Sequence, residues 1–282
     1  MTDLPLFTTE RRRFHAALLE GILTLSAQGI PSNADKDSRL SRDIATAILA
    51  AIGNGRTEVK GAGQTAGRDF ETICAGFLQR TFLSLGHIRP GTFTVTKGGA
   101  IARFDQYAHL ATLDAIAREN REVAVALGAD YLIKPDIVIA RAPLSEGVVN
   151  AERLLVDRSL ALLSPLRAKN NPLPTLHASI SCKWTLRSDR AQNARSEGLN
   201  LMRNRKGRMP HVAVITAEPM PSRIASLAMG TGDIDCVYHF ALEELAQAVA
   251  ACGSADSRDI LAAMIEGRRL RDIADLPLDL AV

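Results

Sequence analysis

Apolar positions along the chain follow two rhythms, a helical spacing of three and four and a strand-like spacing of two, and their order predicts the fold. Helical spacing opens the chain over 8–25 (TTERRRFHAALLEGILTL) and returns near Ser38 to Ile52. It recurs from Arg68 to Leu85, where Phe70, Ile73, Cys74, Phe77, Leu78 and Phe82 form one stripe, and it predicts a long helix from Asp105 to Leu127 with Gly128 as its stop. Short runs rich in β-branched residues follow: LIKPDIVIAR at 132–141, LHASISCKW at 176–184, HVAVITA at 211–217 and IDCVYH at 234–239. Helices are expected from about Ser188 to Lys206 and near Pro221 to Met229, with two more closing the chain. Strands interleaved with helices predict an α/β fold, a mixed β-sheet flanked by helices on both faces. No repeat, low-complexity tract or boundary divides the chain, so residues 1–282 are read as a single α/β domain.

The glycine-rich stretch at 52–67 (IGNGRTEVKGAGQTAG) lacks the G-x-x-x-x-G-K-[ST] pattern and follows a helix, so it reads as a loop. Composition is that of an ordinary globular protein, 46% hydrophobic and 23% charged. The four cysteines, Cys74, Cys182, Cys236 and Cys252, show neither a C-x-x-C pair nor a histidine at zinc-ligand spacing, which argues against a disulfide framework or a zinc site. The N-terminus has no apolar leader and no run of about 18 apolar residues occurs, so the expectation is a cytoplasmic protein with no membrane partner. Net charge is only +3, yet the segment 187–208 carries seven basic residues against two acids, leaving it at +5 and the remainder at −2. Such a local excess suits either a phosphate-binding face or a solvated helix face.

Candidate chemistry begins on the strand LHASISCKW. A period of two puts His177, Ser179, Ser181 and Lys183 on one face and Ala178, Ile180, Cys182 and Trp184 on the other, so the apolar face is expected in the core and the hydroxyls and amine opposite it. Asp136 opens the strand DIVIA directly after Pro135, a position suited to a strand end. If the two strands are neighbours, Asp136 and Lys183 meet at one end of the sheet. The pair is either a capping salt bridge or part of a site. Glu197, on the helix after the lysine strand, can return to the same end, and two carboxylates beside one lysine form an oxygen-donor site for a hard divalent cation. That is the equipment for metal-assisted hydrolysis of a phosphodiester. Arg187, Asp189 and Arg190 lie at the following helix start, where they are either readers of guanine and cytosine edges or a capping residue with solvated arginines. The histidines at 15, 87, 109, 177, 211 and 239 show no spacing for metal binding or catalysis, and Trp184 reads as core.

Pro135-Asp136, Ser181-Cys182-Lys183 and Glu197, in that order, resemble the active site of the CCGG-family type II restriction endonucleases, a branch of the PD-(D/E)xK nucleases. Further segments extend the resemblance over nearly the whole chain, toward a member that cuts GCCGGC: SNAD at 32–35, GQTAG at 63–67, QYAHL at 106–110, GTGDIDCVYHF at 230–240 and the closing DLPLDLAV. The resemblance implies a restriction-endonuclease-like core and Mg²⁺-dependent cleavage of double-stranded DNA at the palindrome GCCGGC, after the first G, with 5′ overhangs. It implies Asp136, Glu197 and the Cys182 carbonyl as metal ligands for two Mg²⁺ per active site. Lys183 is then the catalytic lysine, Ser181 occupies the place of the superfamily's usual acid, and Glu71 is a further acid near the metal or Lys183. Glu71 by itself also reads as a helix-start carboxylate favoured by the helix dipole. Arg187, Asp189 and Arg190 would read the CCGG core, and Asp35 and Arg223 the outer pair, although Lys36-Asp37-Ser38 departs from the family pattern there. The resemblance further implies a bacterial host, a homotetramer engaging two sites, and an N-terminal helical part, about residues 1–60, that contributes to DNA contact. The competing expectations are a DNA-binding protein that reads without cutting, and a nuclease for a different CCGG-containing site.

Overall fold

In a computed structural model, residues 4–53, 66–128, 133–186, 188–230 and 232–282 are described, without the side chains of 188–191. Among them, six strands form one mixed sheet in the order β1 (Phe93–Lys97), β2 (Ile137–Arg141), β3 (Thr175–Lys183), β4 (His211–Thr216), β5 (Cys236–His239) and β6 (Leu270–Asp272). β2 pairs antiparallel with both β1 and β3, and β3 through β6 are parallel. The helices are α1 (Leu6–Gly21), α2 (Arg39–Ile52), α3 (Ala66–Thr81), α4 (His109–Glu119), α5 (Arg121–Leu127), α6 (Glu146–Val149), α7 (Ser188–Asn204), α8 (Pro221–Ala228), α9 (Leu242–Cys252), α10 (Ala255–Glu266) and α11 (Leu276–Asp279).

The sheet is covered on both sides, and β3 shows how. Ser181 bonds to α7, whereas its neighbour Cys182 lies against Cys74 of α3, and Trp184 packs edge-on against Phe70 of α3 with ring centroids 5.1 Å apart. Successive side chains on a strand point to opposite faces, so α3 and α7 sandwich β3. The polar face, expected to lie opposite the core, is itself covered. Ser179 and Ser181 are as buried as Ile180 and Cys182, because α7 lies over the polar face.

Other departures have local causes. The helix expected over Asp105–Leu127 is broken: a 3₁₀ turn at Asp105–Tyr107 precedes α4, and Asn120 leaves helical geometry to cap α5, its side chain accepting from Glu122 and Val123 N–H. The first helix stops at Gly21, so 22–25 belong to the loop that follows it, and the expected continuation of α3 beyond Thr81 is only a 3₁₀ turn, Phe82–Leu85. The edge strands β1 and β6 were not expected, being short and only partly buried.

Two residues of QYAHL anchor the elements that carry the site. The Gln106 amide donates to Leu176 carbonyl at 2.8 Å and accepts from Leu176 N–H at 2.9 Å, replacing a missing ladder partner at the start of β3. The buried Tyr107 hydroxyl donates to Leu201 carbonyl at 3.0 Å and fixes α7. On its other side α7 comes so close to the loop before β5 that a Cβ at Gly198 would lie 2.4 Å from the Asp233 carbonyl oxygen. All four cysteines are free, and among the described residues no helix is long and apolar enough to cross a membrane.

Candidate active site

The strands bearing Asp136 and Lys183 are neighbours, paired antiparallel with Ile137 opposite Ile180. Extending that register by one residue sets Asp136 against Ser181, at the end of the sheet where β3 finishes. Asp136 Oδ2 accepts from the Cys182 backbone N–H at 2.7 Å and from Lys183 Nζ at 3.3 Å, with side chains 23% and 15% exposed for Asp136 and Lys183. Glu197, on the third turn of α7, is reached by Ser181 Oγ, which donates to its Oε2 at 2.8 Å. The three consecutive residues Ser181, Cys182 and Lys183 thus hold both carboxylates. Strand alternation sends Ser181 toward α7, while the backbone N–H of Cys182 points sideways to β2.

One oxygen of each carboxylate is used in these bonds, and among the described residues nothing donates to Asp136 Oδ1 or Glu197 Oε1. Two anionic oxygens at a sheet end suit a hard cation such as Mg²⁺, which completes its shell with water and carbonyls. Among the described residues no three side chains of His, Cys, Asp or Glu converge closely enough to hold a metal ion by themselves. The thiol of Cys182 is no ligand: it is buried against α3, which pushes its pKa well up.

Glu71, on the second turn of α3, shares the cleft but does not bond Lys183. Its carboxylate lies 3.8 Å from Lys97 Nζ. Burial raises its pKa, the negative Asp136 raises it further, and Lys97, Lys183 and Arg68 oppose the shift. Lys97, at the end of β1, was missed by sequence reasoning. It also donates to Thr72 Oγ1 at 2.6 Å and to Arg68 carbonyl at 3.2 Å, so it tethers α3 to the edge strand. Its only sequence signal was a lysine ending the alternating run FTVTK.

A cavity of about 550 Å³ opens onto this end of the sheet, lined by Glu71, Asp136, Cys182 and Lys183 and, from the N-terminal part, by Ser32 and Lys36. Asp35, between the lining residues Ala34 and Lys36, is bonded by the Arg223 guanidinium of α8. The same guanidinium lies 3.8 Å from Glu218, a second residue that sequence reasoning missed. Arg187 lies outside the described residues, as do the side chains of Asp189 and Arg190, though α7 itself begins at Ser188 just beyond β3. Part of the basic excess at 187–208 serves structure: Arg195 bonds Asp233 at 3.2 Å and the Ser226 and Leu227 carbonyls, tying α7 to α8. Arg203, Lys206 and Arg208 are exposed.

Comparison with known proteins bears on this geometry. A sequence model of the family described as NgoMIV restriction enzyme matches residues 14–282. Over 284 aligned residues the chain is 53% identical to the type II restriction enzyme NgoMIV of Neisseria gonorrhoeae, covering 99% of each protein. Among solved structures, the type IIF restriction endonuclease Bse634I with cognate DNA aligns at 13% identity and a TM-score of 0.40, over 86% of this chain and 92% of that one. The restriction endonuclease PspGI in a substrate DNA complex aligns at 13% identity and a TM-score of 0.36, over 98% of this chain and 92% of that one.

Proposed function

The chain belongs to the NgoMIV restriction enzyme family and is a site-specific restriction endonuclease, and from that premise we propose that it hydrolyses double-stranded DNA at GCCGGC through Asp136, Lys183 and Glu197. The observation that carries the residue assignment is the joint grip of Ser181, Cys182 and Lys183 on two carboxylates at one end of the sheet. A protein that only reads DNA has no use for such a grouping.

Asp136 and Glu197, with the Cys182 carbonyl, would hold Mg²⁺, two ions per site. When bound, Mg²⁺ supplies positive charge at the scissile phosphate and acidifies a nearby water. Lys183, held by Asp136, points its ammonium into the cleft, where it orients the attacking water and stabilises charge growing on the phosphate oxygens. Water oxygen bonds to phosphorus, the bond from phosphorus to the 3′ oxygen breaks, and the products are a 5′-phosphate and a 3′-hydroxyl. Ser181 keeps Glu197 aimed at the site, and Glu71 adds a further carboxylate on the α3 side. Cleavage follows the first G, leaving 5′ overhangs. Arg187, Asp189 and Arg190, at the start of α7, read the CCGG core, with arginine matched to guanine O6 and N7 and aspartate to cytosine N4. Asp35 and Arg223 contact the outer pair. The whole chain acts as a single nuclease domain in a bacterial cytoplasm, with the N-terminal part contributing to DNA contact through the loop that lines the cleft.

A palindromic site calls for two-fold symmetric subunits, and the proposed assembly is a homotetramer, a dimer of dimers. Its support is the segment between α6 and β3, where Leu154, Leu155, Leu160, Leu162 and Leu163 are all more than half exposed. Leucines in such numbers suit burial against a second copy of the chain. The test of the function is Asp136→Ala. It should abolish cleavage of GCCGGC while specific binding in Ca²⁺ persists, and a variant that still cuts would remove Asp136 from the site.

A further inference from the structure

Glu218 follows β4 and is 1% exposed, a charged residue of a type almost never fully buried without a reason. Its carboxylate has two sets of partners on two different elements. Oε2 accepts from the Leu186 N–H at 2.8 Å, and Leu186 is the last residue before Arg187. Oε1 accepts from the Met220 N–H at 3.2 Å, at the start of α8, and lies 3.8 Å from Arg223 Nη1. The other end of the Arg223 guanidinium bonds Asp35. The neighbouring Asn33 is also buried and donates to the Ala217 carbonyl at 2.8 Å, so the loop bearing Asp35 is pinned to the residue next to Glu218.

We infer that Glu218 is a positioning residue for DNA reading, whose buried carboxylate joins Leu186, just beyond β3, to the Arg223–Asp35 pair and so fixes the outer-pair contacts relative to the strand that carries Lys183. The inference rests on the proposed reading of Arg223 and Asp35 as contacts to the outer base pair. The chemistry favours a carboxylate over any neutral side chain at this point. Two oxygens serve two N–H donors and a guanidinium at once, whereas an amide offers one oxygen and would turn its NH₂ toward one of the donors. A guanidinium has five N–H donors, so holding Arg223 from Glu218 and Asp35 leaves others for a base edge.

The arrangement carries a pH signature. Burial pushes the Glu218 carboxyl up to about 7, opposed by the Leu186 N–H, Arg223 and the Met220 N–H, and assisted by the negative Asp35. From β5, His239 faces the Glu218 carbonyl at 3.2 Å, but its own burial lowers its pKa to about 4, so it stays neutral in this range. Glu218 is charged above about pH 7 and grips Arg223; below it, the protonated form releases that grip. Base discrimination at the outer pair should therefore weaken as pH falls through about 7.

The test measures affinity in Ca²⁺ for a GCCGGC duplex and for the same duplex with its outer pair changed, ACCGGT, between pH 6 and 8.5. Wild type, Glu218→Gln and Arg223→Ala are compared. The preference of wild type for GCCGGC should fall by about fivefold from the top to the bottom of the range, the upper end for losing one partly screened ion pair. In Glu218→Gln the preference should be low and flat across pH. If Arg223→Ala discriminates as well as wild type, the reading of Arg223 is wrong and the inference falls with it. If Arg223→Ala loses discrimination while wild type is flat with pH, Glu218 is not the positioning residue. The pH arm on wild type needs no variant to fold.

Discussion

Ser181→Ala removes one oxygen and tests whether the strand aims Glu197. In the wild type Ser181 is buried and its Oγ donates to Glu197 Oε2 at 2.8 Å, a hydrogen bond to a charged acceptor shielded under α7. Such bonds contribute about 1.5–3 kcal/mol, or roughly ten- to a hundredfold in an equilibrium. Partners that orient metal ligands typically cost about 10–100-fold when removed, which agrees. Because the alanine is smaller and sits beneath a helix fixed independently by Tyr107 and Arg195, the fold should survive. Loss should appear chiefly as weaker metal affinity: the Mg²⁺ concentration giving half-maximal cleavage rises at least about tenfold, with a smaller change in rate at saturating Mg²⁺. Ser181→Thr, which keeps the hydroxyl, should lie nearer wild type. The assay is plasmid cleavage across a Mg²⁺ series, with specific binding in Ca²⁺ as control. A Mg²⁺ curve for Ser181→Ala that overlays the wild type would refute the argument, and Glu197 would then be held by something other than Ser181.

Three further outcomes follow from the structure. Lys183→Ala should abolish cleavage while leaving specific binding in Ca²⁺ largely intact, since its amine bonds only Asp136 among the described residues; lost binding by gel shift would make the lysine structural. Arg190→Ala should weaken binding to GCCGGC by about 1–3 kcal/mol relative to a scrambled duplex, and an unchanged ratio by fluorescence anisotropy would remove it from the readers. Gly198→Ala should lower thermal stability and cleavage together, because its Cβ would meet a backbone carbonyl at 2.4 Å and push away the helix that carries Glu197; an unshifted melting curve would contradict this.

Some of this site was legible in the sequence because it depends on short-range rules. A period of two with a proline before Asp136 set the ends of β2 and β3, and their pairing then brought Asp136 to Lys183. The reach of Glu197 was also readable, since α7 starts directly after the lysine strand. What escaped depends on partners far along the chain. Nothing local marks Glu218 as buried: Met220 and Arg223, at the start of α8, are near in sequence, but the donor that fixes its other oxygen, Leu186, lies 32 residues earlier, beyond β3. Lys97 is legible only once β1 is known, and β1 has a single buried residue, Val95, to announce it. That the serines of β3 are buried was not legible, because alternation reports polarity and the covering α7 is invisible to it. Asn120 was a missed local signal, a capping residue inside an otherwise continuous helical pattern.

The most direct test of the proposed cleavage is incubation of the purified protein with plasmid DNA carrying GCCGGC, with and without Mg²⁺, followed by sequencing of the ends. The expected result is discrete Mg²⁺-dependent fragments whose ends all fall in GCCGGC, cut after the first G and bearing 5′-phosphates. Intact plasmid, or cleavage scattered over sites that lack GCCGGC, would contradict it.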